Sequence, residues 1–134
     1  MTRKLHHLAL GARDVEGVAA FYRDLLGLPE ASRHHESGGR LRSIWLDLGG
    51  PVLMVERTDE PPRLIRGVGA GLFLLALAAA PAERAALERS LAAAGVLVDS
   101  RTKFTTYVRD PEGNRVAVSS FALELPSKNN APVP

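Results

Sequence analysis

No cysteine occurs among the 134 residues, which excludes disulfides, thiolate nucleophiles and cysteine metal sites. Aromatic residues are scarce, at 5% with a single tryptophan, and they form no aromatic-basic ribbon of the kind that stacks nucleobases. Charge of neither sign dominates. A formal net charge of +2, from scattered Lys and Arg, leaves no basic patch, and no nucleic-acid partner is expected. The longest apolar run, Leu72 to Ala82, falls short of the ~20 residues that cross a bilayer, so no membrane association is expected. The opening "MTRKLHHLAL" runs straight into patterned sequence without a separate apolar signal region, and a cytoplasmic protein is expected. What remains is 46% hydrophobic and 24% charged, the balance of one globular domain or of two small halves sharing a core.

Two short stretches recur. "LHHLAL" at residues 5–10 agrees with "LFLLAL" at residues 72–77 in four positions, with Phe73-Leu74 standing where the first has His6-His7. Further on, "WLDLGG" ending at Gly50 answers "VRDPEG" ending at Gly113. Each places an Asp three residues before a Gly (Asp47 and Gly50, Asp110 and Gly113), a turn signature followed by an apolar run. Two matches in the same order point to a unit of roughly 60 residues used twice.

Each unit reads β-α-β-β-β. Residues 5–10 alternate as a strand, and Asp14 is placed to cap a helix carrying Val18, Phe21, Tyr22 and Leu25 at helical spacing, with Gly27 as its stop. Residues 30–36 and 40–48 read as a hairpin across "SGG", and 52–56 as the closing strand. The second unit gives a strand at 72–78 and a helix near 81–94 with Pro81 in its first turn and Gly95 at its end. Strands near 96–99, 104–109 and 114–119 follow. The boundaries are one domain over 1–126 (module one 4–57, a Pro- and Gly-rich linker 58–70, module two 71–122) and a flexible tail over 127–134.

"LHHLALGARDVEGVAAFYRDLLGLPE", "WLDLGG" and "DPEGNRVAV" together resemble the vicinal oxygen chelate superfamily, which includes glyoxalase I, extradiol dioxygenases, and fosfomycin- and bleomycin-resistance proteins. The resemblance covers residues 5–121. It implies an α+β fold in which two βαβββ modules form a cup-shaped sheet around a cleft. It also implies up to four metal ligands in metal-dependent members, one on the first and one on the fourth strand of each module. Carried onto this chain, those positions are His7, Met54, Leu74 and Ala117. Only His7 is a metal donor of the expected kind, and one imidazole holds a divalent ion poorly. No metal and no other cofactor is expected.

The remaining candidates rest on alternation. Trp45 alternates away from Ile44, Leu46 and Leu48, which puts it with Ser43 and Leu41 on the cleft side, where its ring suits stacking on a planar ligand. Arg115 shares the face of Ala117 and is a partner for an anionic group. His6 is expected to point opposite to His7. His34, His35 and Glu36 read as a solvated hairpin, since neighbouring strand residues face opposite ways. Glu56 lies just past the Met54 position, and only a register slip would bring it into the cleft. Phe104 and Tyr107 are possible wall residues of unassigned facing. "GVGAG" in the linker lacks the strand-before, helix-after setting of a dinucleotide loop.

The expectation is a metal-independent protein that binds a small organic molecule in a largely apolar cleft through His7, Trp45, Met54, Leu74, Arg115 and Ala117, similar in type to bleomycin-resistance proteins. A homodimer is expected. The alternatives are a glyoxalase-like lyase or isomerase using His7, with Glu56 or a partner-chain group as an unconventional second ligand, and an assembly protein with a vestigial cleft.

Overall fold

A computed structural model describes residues 2–123; the expected flexible tail at 127–134 lies outside the described residues. The first strand, β1 (His7–Ala12), half-buries Leu8 and Leu10, fully buries Ala12 and turns His7, Ala9 and Gly11 outward. Asp14 then caps the helix α1 (Val15–Ala20), its Oδ1 accepting the Gly17 N–H at 2.9 Å. The helix expected to run on to Leu25 instead widens into a single π-helical stretch over Phe21–Leu25, whose leading residues Phe21 and Tyr22 are both buried. Gly27, at φ +77°, ends it in a conformation other residues avoid. Strands β2 (Glu30–His35), β3 (Leu41–Asp47) and β4 (Val52–Arg57) follow. The sheet order is β1-β4-β3-β2, with β1 and β4 parallel.

The second module repeats the order with β5 (Leu75–Ala78), α2 (Pro81–Ala93), β6 (Ser100–Arg101), β7 (Thr105–Arg109) and β8 (Arg115–Ser119), arranged β5-β8-β7-β6. The expected strand at 96–99 is displaced to the two residues of β6. The turn beyond β6 closes through the Thr102 N–H, which donates to the Thr105 carbonyl at 2.8 Å, and the Thr105 N–H, which donates to Thr102 Oγ1 at 3.1 Å. Val96 and Val98 still pack against the core from an irregular segment. The first strand of this module starts at Leu75, three residues later than its sequence pattern suggests.

Both Asp-x-x-Gly turns form. Asp47 Oδ1 accepts the Gly49 and Gly50 N–H groups at 2.7 and 3.0 Å, and Asp110 Oδ1 accepts those of Glu112 and Asn114 at 2.9 Å each. Helix residues Val18, Tyr22 and Leu91 and the helix-facing rows of both sheets meet in one core, with Ile44, Leu46, Leu53 and Val55 from module one and Val108, Val116 and Val118 from module two. Each such side chain contributes about 1.5–3 kcal/mol through burial. The result is an α+β chain of two βαβββ modules. Their helix sides are fused, and each sheet has a far face turned away from its helix.

Candidate functional site

The register of the first sheet fixes which side chains share its far face. Ile44 pairs with Val55 and Leu46 with Leu53, all fully buried toward the helix. The intervening pairs, Ser43 with Glu56 and Trp45 with Met54, therefore occupy the opposite side. Ala9 lies beside Met54, and Ser32 beside Trp45. Glu56 thus reaches this face by plain alternation, two residues beyond Met54. No register slip is needed to bring it there.

Two polar atoms on this face stand out. Trp45 Nε1 and Ser43 Oγ are buried, and neither has a hydrogen-bond partner among the described residues. Leaving a buried donor unpaired costs about 1–3 kcal/mol, so two on adjacent alternating positions call for an acceptor from outside the chain. Beside them the His34 ring lies 4.4 Å from the Trp45 ring, tilted by 48°, and His34 Nε2 is 3.0 Å from Ser32 Oγ. This corrects the solvated reading of His34. Pairing the two hairpin strands places His34 across from Ser43, and a register shift between His34 and His35 then turns His35 out. The signal available in the sequence was the hairpin register, which composition alone does not supply.

His7 sits exposed at the start of β1. His6, expected to point the other way, precedes the strand and places its Nδ1 2.8 Å from His7 Nδ1, ring against ring edge-on. Alternation does not govern a residue outside the ladder. The pairing of His7 with Val52 puts Glu56 four residues farther along β4, about 13 Å at ~3.3 Å per residue. His7 and Glu56 are therefore not a chelating pair. The ligand positions that the resemblance implies hold one imidazole, one thioether (Met54) and two alkyl groups (Leu74 and Ala117), and the described residues contain no group of three or more His, Asp or Glu placed to hold a metal ion. That donor set does not fit a divalent cation, which needs several nitrogen or oxygen donors converging on one point.

The other candidates fall on the second sheet. Ala117, fully buried, pairs with Tyr107, and Arg115 with Arg109, all on the face opposite Val108, Val116 and Val118. The Arg115 guanidinium lies 5.0 Å over the Tyr107 ring. Phe104 sits away from these, edge-on to Phe121 at 5.5 Å. Leu74 and Arg115 line a cavity of about 90 Å³ where the modules join, together with Leu8, Leu10, Tyr22 and Leu53. His7, Trp45, Met54 and Ala117 are not among the residues lining it. The six candidate residues are thus divided: His7, Trp45 and Met54 on the first sheet, Ala117 on the second, and Leu74 and Arg115 at the junction.

One contact between modules was not apparent in the sequence. The buried Tyr22 hydroxyl donates to Asp110 Oδ2 at 2.7 Å. Burial foremost, then the Asp110 charge and this hydrogen bond, hold the Tyr22 phenol far above its usual range. It is a structural tether, not a proton donor poised for chemistry at neutral pH.

A family model described as Glyoxalase/Bleomycin resistance protein/Dioxygenase superfamily matches residues 4–118. No curated protein sequence matches the chain. Among solved structures, the chain is similar to a lactoylglutathione lyase from Agrobacterium tumefaciens at 24% identity, covering 88% of this chain and 93% of that one, with a TM-score of 0.65. It is also similar to a mutant of the fosfomycin resistance protein FosX from Listeria monocytogenes complexed with Mn(II) and 1S,2S-dihydroxypropylphosphonic acid. There the identity is 16%, coverage 92% and 96%, and the TM-score 0.73. A third likeness is to TioX from Micromonospora sp. ML1, at 20% identity, 87% and 98% coverage and a TM-score of 0.63. At these identities the three likenesses speak for the fold alone.

Proposed function

We propose, on the premise that this chain belongs to the Glyoxalase/Bleomycin resistance protein/Dioxygenase superfamily, that it is a cytoplasmic, metal-independent binding protein for a small planar organic molecule. The ligand lies on the far face of the first sheet. One observation carries this reading: the buried, unpartnered Trp45 Nε1 and Ser43 Oγ on the same face as Met54 and next to the His34 ring. A flat ligand stacks on the Trp45 indole, takes its apolar area against Met54, and places a carbonyl or ring-nitrogen acceptor where both donors reach it. His7 stands at the exposed end of this face. A second copy of the chain closes the cleft as a homodimer.

The test is a panel of planar heterocycles with and without a hydrogen-bond acceptor, followed by Trp45 fluorescence. Saturable quenching by acceptor-bearing members only, weakened in Ser43→Ala, supports the reading. Equal response to pure hydrocarbons argues against it.

A second reading, a lyase or isomerase using His7, draws on the 2.8 Å His6–His7 contact. A proton taken by one imidazole has a neighbouring imidazole to share it. It predicts turnover of a carbonyl substrate that is lost in His7→Gln and reduced in His6→Gln.

A further inference from the structure

Arg109 and Arg115 face each other across β7 and β8, and they are treated very differently. Arg109 donates to the carbonyls of Ile65, Gly113 (3.1 Å) and Arg66 (3.4 Å) and pairs with Asp99 at 3.3 Å. It thereby clamps the linker onto module two. Arg115 makes no hydrogen bond or ion pair among the described residues, and its Nε is buried without a partner. Like charges opposed in a ladder repel, and a buried guanidinium nitrogen without an acceptor is costly. Among the described residues its guanidinium meets the Tyr107 ring, 5.0 Å away.

The same Arg115 lines the junction cavity, whose other walls are mostly apolar (Leu8, Leu10, Leu53, Leu74 and Ile65), while the polar groups of its Tyr22 and Asn114 are already engaged with Asp110. About 90 Å³ is room for roughly three waters or a few methylene groups, since one water takes ~30 Å³ of liquid volume. Water would find few polar partners along these walls. A short hydrocarbon chain ending in an anion matches both the lining and the unsatisfied charge. Ile65 of the linker contributes to one wall, and Leu72, another lining residue, is largely exposed, so the cavity lies close to solvent.

We propose that this junction cavity is a second ligand site that binds short aliphatic monocarboxylates, with the carboxylate on Arg115 and the chain among Leu8, Leu53 and Leu74. It shares none of its lining with Trp45, Met54 or Ser43 and does not depend on the site proposed above.

The experiment is a thermal-shift and equilibrium-dialysis series with propionate, butyrate, valerate, hexanoate and decanoate, beside 1-butanol and butyramide. Butyrate or valerate at millimolar concentration should raise the melting temperature saturably, as any ligand selective for the folded state does. Decanoate and the two neutral analogues should not. R115Q should weaken butyrate binding by about tenfold or more, the scale of a charge-assisted hydrogen bond, while Arg115→Lys should restore part of it. Leu74→Phe, which fills the cavity, should abolish binding of the longer acids first. Trp45 emission should stay constant throughout, which keeps this site separate from the first. Equal binding of 1-butanol, butyrate affinity unchanged in R115Q, or no saturable shift at any chain length would each overturn the proposal.

Discussion

The Tyr22 hydroxyl and Asp110 Oδ2, 88 positions apart in sequence, meet at 2.7 Å inside the protein. Tyr22 belongs to the widened end of the first helix, and Asp110 holds the turn before the last strand, where it also takes three donors from Glu112 and Asn114. One carboxylate therefore shapes a turn in one module and anchors a helix of the other.

Tyr22→Phe removes a hydrogen bond to a charged acceptor and should cost about 1.5–3 kcal/mol, the range for such bonds. The Tyr22 phenol is held above its usual value of 10.0, so its contribution to stability is complete below that value. As pH rises past it, the unfolded chain gains a tyrosinate that the folded chain does not, and stability falls. Urea unfolding between pH 8 and 11 should show this alkaline loss in the parent and a shallower one in Tyr22→Phe.

The acid side is governed by the opposite sign. The Gly50 and Gly49 N–H groups hold the Asp47 carboxyl below its usual value of 3.8. Its stabilising effect is present above that value and is lost as pH falls through the lower, folded one. Asp47→Asn keeps an acceptor oxygen for the turn without the titration, so its melting temperature should fall less steeply between pH 5 and 2. An acid profile parallel to that of the parent would show that the Asp47 charge contributes nothing.

Much of this architecture is legible in the sequence because it rests on local rules. The Asp14 cap, the Pro81 start, the Gly27 and Gly95 stops and the two Asp-x-x-Gly turns each follow from the chemistry of a few neighbouring residues. Facing along β3 follows from alternation, since Ile44 and Leu46 are apolar at period two. What was not legible depends on register or on tertiary pairing. His34 comes against Trp45 only once the β2–β3 pairing and its shift are known. His6 escapes alternation because the strand starts one residue later. The Tyr22–Asp110 tether and the unpartnered state of Arg115 need both modules in place. No period in the sequence carries that information.

The donor set predicts behaviour toward metals. With Met54, Leu74 and Ala117 at the other three positions, His7 should hold Zn, Ni, Mn or Fe no more tightly than a surface imidazole. Purified protein should carry well under one metal per chain after dialysis, and chelator should leave its melting temperature unchanged. A ratio near one that withstands dialysis would sink the metal-independent reading.

Assembly is open to a direct measurement. Leu64 and Val68 in the linker and Leu72 just after it are largely exposed, apolar side chains that a second copy would cover. Light scattering at micromolar concentration should give twice the 14.4 kDa of one chain. Replacing Val68 and Leu72 together by Ser should shift the equilibrium toward monomer. Loss of dimer without loss of helix signal would place the contact at the linker.

The strongest test of the binding face lies at Trp45. Its indole is half-buried, lies on the side opposite Ile44 and Leu46, and contributes an N–H with no partner among the described residues. Trp45→Ala should weaken ligand binding by roughly 1–3 kcal/mol, the scale of a well-packed aromatic contact. Trp45→Phe separates the two roles of the side chain. It keeps a stacking ring and loses the donor, so it should retain apolar ligands while losing preference for those with an acceptor. If Trp45 serves only as packing, truncation should cost about 3–5 kcal/mol of folding stability, and no ligand should alter its emission. The two outcomes diverge because a ligand contact acts on affinity and a core contact acts on unfolding. Measuring both in Trp45→Ala and Trp45→Phe decides between a site and a wall.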